Sequence, residues 1–118
     1  MALVIKQRNL SDVVVLDLSG RLWILDLPLR DLINSLLSEG KSQFVLNLAG
    51  VDYIDSSGLG QLVSIWSSVR NRKGHMTLLS PSKRVLRLFE ITRLTTVFEI
   101  FDQEPDAIQK TFKAPQPS

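Results

Sequence analysis

Cysteine is absent from this sequence, and histidine occurs once, at His75. Without cysteine there are no disulfides and no thiolate metal sites, and a reducing cytoplasm is compatible. A single histidine with no cluster of ligand types around it leaves a metal site without donors. No apolar run approaches the roughly 20 residues that a spanning helix needs. The opening MALVIKQRNL lacks the basic leader and long apolar stretch of a secretory signal. Charge of one sign is scarce too: 14 basic and 12 acidic side chains give a formal net charge of +2. Basic residues gather in RNRKGH (70–75) and KRVLR (83–87), but no groove-reading motif or interleaved aromatic platform accompanies them. They read as solvated faces and C-terminal helix turns, where cations are favoured. The expectation is a cytoplasmic protein with no cofactor, no metal, no membrane segment and no direct contact with nucleic acid.

What is present is material for a core. The 118 residues are 44% hydrophobic and 22% charged, which fits one domain that folds without metal or disulfide staples. Leu3 to Arg8 and Val13 to Ser19 read as two strands joined at the polar NLSD, the second with Val14, Leu16 and Leu18 on one face and Asp17 and Ser19 on the other. In DLPLRDLINSLLSEG, Asp26 can cap and Pro28 suits the first turn; Leu29, Leu32, Ile33, Leu36 and Leu37 form a helical stripe, and Gly40 is a left-handed stop. QFVLNL (43–48) reads as a central strand buried on both faces. A second helix carries Leu59, Leu62, Val63, Trp66 and Val69, with Trp66 expected in the core. HMTLL (75–79) is a fourth strand. A third helix is expected with Ser80 as its cap, Pro81 at its first position, and Val85, Leu88 and Phe89 inward. TVFEIF (96–101) is a fifth strand, and Asp102 to Phe112 a closing helix. The fold class is therefore α/β: a single small domain over residues 1–112, with a mixed, mostly parallel sheet of about five strands and about four helices. Its order is β-β-α-β-α-β-α-β-α, and KAPQPS (113–118) is a loose, disordered tail.

The stretch VDYIDSSGLGQLVSIW (51–66) does not follow from folding alone. An apolar strand runs into an acid, two hydroxyls and two glycines, then directly into a helix. Asp or Ser would serve as an N-cap and glycine as a connector in any strand-to-helix turn. Yet Gly58 and Gly60 each cost about 1 kcal/mol relative to alanine near a first helical turn. Removing side chains there bares the backbone to another molecule, and open α/β sheets place their sites at the carboxyl ends of strands. Catalytic templates do not fit. G-x-S-x-G is missing, and His75 lies beyond the far end of the second helix. Gln61 stands where a phosphate-binding loop needs lysine, and GLGQLV ends in Val63 rather than a third glycine. The remaining use of an exposed hydroxyl here is to receive a phosphate. Free N–H donors and the helix dipole would tolerate it, while a partner docked over the glycines would meet about two new negative charges.

YIDSSGLGQLV, preceded by FVLNLAGV and followed by GHMTLLSPSKRVLRLFEITRLTTVFEIF, strongly resembles the STAS-domain anti-sigma factor antagonists of bacteria, over roughly residues 3–112. The resemblance implies a non-catalytic partner-switching module. Unphosphorylated members bind a serine-kinase anti-sigma factor with a histidine-kinase-like ATPase fold and so release a sigma factor. The kinase phosphorylates the serine directly after the motif aspartate, and a metal-dependent serine phosphatase reverses the modification. On this sequence the implied phosphoacceptor is Ser56, with Asp55, Ser57, Gly58, Leu59 and Gly60 as partner contacts, in a monomer or weak dimer.

One position departs from the pattern. The family usually reads G-x-L-D after the second strand, where this chain has Gly20-Arg21-Leu22-Trp23. Trp23, standing where the acid belongs, is either a core plug or a further partner contact. The departure implies a divergent partner pair, or a member that binds without being modified. The alternative is a STAS-type signalling or scaffold domain in a larger assembly, independent of sigma factors and not phosphorylated; a nucleotide-binding protein or small enzyme is a third class. Arg84, Arg87 and Arg93 read as solvated helix surface, with steering of an acidic partner as the other reading.

Overall fold

The sheet is built from strands in sequential order, β1 to β5, with β1 antiparallel to β2 and every later neighbour parallel. The computed structural model describes residues 3–22 and 28–112. Its elements are β1 (Val4–Leu10), β2 (Val13–Leu22), α1 (Pro28–Ser38), β3 (Gln43–Ile54), α2 (Ser56–Asn71), β4 (His75–Leu79), α3 (Lys83–Ile91), β5 (Glu99–Phe101) and α4 (Glu104–Phe112), with a short 3-10 turn at Leu94–Thr96. The order expected from sequence is the order observed. Trp23, Asp26 and residues 113–118 lie outside the described residues.

Alternation along β2 divides the interior in two. Val14, Leu16, Leu18 and Leu22 join Phe44, Leu46 and Leu48 of β3 in a large core, closed by the apolar stripes of α1, α2 and α3. On the opposite face Val13, Val15, Val45 and Leu79 form a smaller core with Ala107 of α4. Phe44, Val45 and Leu46 are therefore apolar in succession because this part of β3 is covered from both sides. The α1 stripe follows the sequence, with Leu29, Ile33, Leu36 and Leu37 buried and Leu32 packed at the margin. Gly40, at φ +93°, ends this helix: its N–H donates to the Leu37 carbonyl at 3.0 Å, and the Lys41 N–H donates to Leu36 at 2.9 Å.

Polar contacts tie α4 to its face. Arg8 Nε lies 2.7 Å from Asp17 Oδ2, and the same guanidinium bonds Glu104 of α4. Asn47 Nδ2 donates to Asp17 Oδ1 at 2.8 Å. Deeper in, the hydroxyls of Thr77 and Thr111 lie 2.8 Å apart. Hydrogen bonds from Arg8 hold the Asp17 and Glu104 carboxyls below the usual carboxylate range and raise the arginine.

Three local expectations are corrected. Ser82, not Ser80, caps α3: its hydroxyl accepts from the Val85 N–H at 3.2 Å. Ser80 is held at φ 53°, its N–H donating to the Phe101 carbonyl at 2.8 Å, so Pro81 precedes the helix rather than opening it. The fifth strand is Glu99–Phe101 alone, because Leu94–Thr96 coil tightly and Phe98 turns inward to meet Phe89 edge-on, 5.7 Å between ring centres. Trp66 is half-buried against the core, with the Arg70 guanidinium 5.4 Å over its ring, while Ile65 takes the fully buried position.

Candidate functional site

β3 carries the motif to the surface. QFVLNL and the apolar lead-in VDYI are one strand of 12 residues, kept in register with β2 through shifts at Asp17/Ser19 and Gly20/Arg21 until Leu22 pairs with Ile54. The pair Arg21 and Tyr53 lies alongside, with the guanidinium 5.8 Å from the tyrosine ring centre. Here the chain turns directly into α2.

Asp55 supplies the turn. Its backbone is extended (φ −99°, ψ −178°), its Oδ1 accepts from the Gly58 N–H at 2.7 Å, and its carbonyl accepts from the Leu59 N–H at 2.9 Å. The aspartate is thus the cap, which frees Ser56, the first helical residue, from that duty. Ser56 is exposed and Ser57 half-buried. The first-turn N–H groups of Ser56 and Ser57 have no acceptor within the helix, and the positive end of the dipole faces the same way.

The two glycines differ. A Cβ on Gly58 would stand 2.2 Å from the Leu22 carbonyl oxygen, so the residue is buried and its missing side chain lets α2 pass under the end of β2. A Cβ on Gly60 would meet nothing within 4 Å, and that residue is exposed. The expectation that both glycines offer bare main chain to a visitor thus fits Gly60; Gly58 serves internal packing. Leu59 is 8% exposed and belongs to the main core. The structure brings Asp55, Ser56, Ser57 and Gly60 together at one surface, and Trp23 lies outside the described residues.

No imidazole is near this surface. His75 starts β4 opposite Gln43, at the other end of β3, roughly 35 Å away along an extended strand. Its Nε2 lies 2.7 Å from Glu99 Oε1, whose second oxygen is 3.6 Å from the Lys110 ammonium. Among the described residues there is no group of three or more side chains that could hold a metal ion, and no helix long and apolar enough to cross a membrane.

The motif alone did not reveal the surface beside it. Tyr53 and Ile54 of β3 and one flank of α3 enclose an open groove of about 280 Å³. The α3 residues that line it include Arg84, Arg87, Leu88 and Ile91, whose spacing of three, one and three residues was legible as a helical stripe.

Comparison with known proteins agrees with this architecture. The STAS domain model matches residues 6–107, and the chain belongs to that family. An anti-sigma-B factor antagonist of Bacillus subtilis is 30% identical over 104 residues, 87% of this chain and 94% of that protein. An anti-sigma-B factor antagonist of Listeria monocytogenes is 42% identical over 59 residues, 50% of this chain and about half (52%) of that protein's length. A crystal structure of a Thermotoga maritima protein, described as a candidate anti-sigma factor antagonist, superposes with a TM-score of 0.84 at 28% identity, covering 92% of this chain and 95% of that one.

Proposed function

We propose that this protein is an anti-sigma factor antagonist that works as a non-catalytic partner switch. In its unmodified form it docks on a serine-kinase anti-sigma factor; phosphorylation of Ser56 ends the complex, and a metal-dependent serine phosphatase restores it. The observation that carries the reading is the division of roles at the start of α2. Asp55 caps the helix, while Ser56 is an exposed residue one helical turn before the open main chain of Gly60. A phosphoryl group on Ser56 would meet unpaired N–H groups and a favourable dipole, so the fold tolerates it. A partner seated over the same turn would instead confront about two added negative charges. Asp55, Ser57 and Gly60 are the proposed contacts around the acceptor, with Gly58 and Leu59 setting their backbone from beneath. The names of the relatives, anti-sigma-B factor antagonists, support the general role.

The test is to incubate the protein with kinase-type anti-sigma factors of the same genome and ATP, then map the modification by mass spectrometry. Phosphate is expected on Ser56 and absent from Ser56→Ala. Ser56→Asp is expected to fold normally and bind its kinase at least tenfold more weakly. Equal phosphorylation of Ser56→Ala, or unchanged affinity of Ser56→Asp, refutes the switch.

A further inference from the structure

We propose that the groove between the end of β3 and the outer flank of α3 is a second docking element, and that it receives an acidic segment with apolar anchors from the partner protein. This rests on the proposed function in taking the partner to be the anti-sigma factor, but its chemistry is read from the groove itself. The floor is apolar: Ile54 and Val85 are buried and Leu88 is half-buried. Among the described residues four large apolar side chains are exposed: Val4 and Leu10 on β1, and Tyr53 at 42% and Ile91 at 69% beside this groove. Tyr53 and Ile91, which come from different elements, line the same groove, so this pair is not scattered surface.

Charge narrows the choice of occupant. Arg84 and Arg87 line the groove from positions about one helical turn apart, and Arg21 lies over the Tyr53 ring. None of the lining residues is acidic. A purely apolar helix would leave two guanidinium groups desolvated without partners, and a basic one would be repelled. A segment with leucine- or phenylalanine-type anchors and flanking carboxylates satisfies both features. Arginine suits this role, since its planar fork pairs with carboxylates while its stem packs on apolar neighbours.

The groove also has a position relative to the proposed switch. Tyr53 and Ile54 lead directly through Asp55 into Ser56, so one partner can cover the helix start and the groove together. A phosphate on Ser56 would then add negative charge at the edge of the surface that the acidic segment occupies.

Two probes test the proposal separately from the kinase reading. The first is a synthetic amphipathic peptide bearing leucines and glutamates, titrated into the labelled full-length protein by NMR, with a lysine-for-glutamate peptide as control. Shifts are expected at Tyr53, Leu88 and Ile91 with the acidic peptide only, and they should vanish in the double variant Arg84→Glu/Arg87→Glu. The second probe is the cognate kinase. The double variant and Ile91→Ser should each bind it at least tenfold more weakly, with unchanged thermal melts, and wild-type binding should weaken steeply with salt. If Ser56→Asp loses the kinase but the groove variants keep wild-type affinity, the groove proposal is overturned and the proposed function stands. If no kinase binds yet the acidic peptide marks the groove, the groove stands and the proposed function fails. Peptide shifts elsewhere, or equal shifts with the basic control, overturn the groove.

Discussion

Gly58 and Gly60 lie two residues apart in one helix turn, and the same substitution at each is expected to have opposite effects on stability. Alanine in place of glycine within a helix gains about 1 kcal/mol from backbone entropy alone. At Gly60 nothing lies within 4 Å of the new methyl group, so Gly60→Ala should raise stability by up to about 1 kcal/mol. At Gly58 the methyl would stand 2.2 Å from the Leu22 carbonyl oxygen and 2.9 Å from its carbon. Side-chain carbons essentially never approach within 3.0 Å, so the carbonyl must retreat by most of an ångström. That carbonyl cannot yield as a side-chain tip would. It belongs to backbone paired with β3 at Ile54, and it also accepts from the Asp55 N–H at 3.4 Å. Overpacking of this kind costs about 1–3 kcal/mol, and a rigid neighbour argues for the upper half.

Because the propensity gain is common to both variants, it cancels in their difference. Gly60→Ala minus Gly58→Ala should therefore be about 2–3 kcal/mol, read from urea midpoints at equal m-value. A difference within about 0.5 kcal/mol would refute the close passage of α2 beneath β2. Under the proposed function, Gly60→Ala should also be the more stable but weaker-binding protein, because its methyl group intrudes only on a docked partner.

Ser82→Ala should lower stability by about 1 kcal/mol in urea unfolding, the usual loss of an N-cap, and no loss would move the α3 cap elsewhere. Leu62→Ala, at a fully buried site in the main core, should cost about 2–5 kcal/mol; a smaller loss would mean that the site collapses around the void. Acid should weaken the α4 face. Arg8 depresses the Asp17 and Glu104 carboxyls, so in acid the unfolded chain binds more protons than the folded one. That stabilisation is complete above their ordinary pKa values, about 4, and is lost as pH falls through the lower folded values. Arg8→Met should flatten the dependence of stability on pH below about 5, and an unchanged slope would refute the pairing.

The element order was legible because its signals are local. Leu29, Ile33, Leu36 and Leu37 repeat at helical spacing, and Val14, Leu16 and Leu18 alternate, whatever the rest of the chain does. What was not legible depends on distant partners. Ser80 and Ser82 are equally good caps on paper; the hydrogen bond from the Ser80 N–H to Phe101, which comes only after α3, decides between them. Phe98 reads as part of a strand until Phe89 supplies the inward contact. The site divides in the same way. That an Asp or Ser caps α2 follows from their place before a helix; that it is Asp55 comes from its bond with the Gly58 N–H. The unlike roles of Gly58 and Gly60 come from the Leu22 carbonyl, which no local pattern announces.

The proposed switch requires a large free-energy difference from a small change. Moving a complex from nearly all bound to nearly all free takes a factor of about 10,000, or about 5.5 kcal/mol. The helix dipole contributes little, since a charge at a helix start is worth about 0.3–1 kcal/mol, and it favours the modified protein without opposing the partner. The main term must lie in the interface, where a phosphate buried without a counter-charge costs several kcal/mol. The basic groove adds to this on the proposed geometry. A dianion two residues beyond Ile54 would compete with the acidic segment for the same arginines, so modification would also weaken the pairs at Arg84 and Arg87. One phosphate acting on two adjoining contacts can approach the required factor while the cap at Asp55, and with it the fold, is left unchanged.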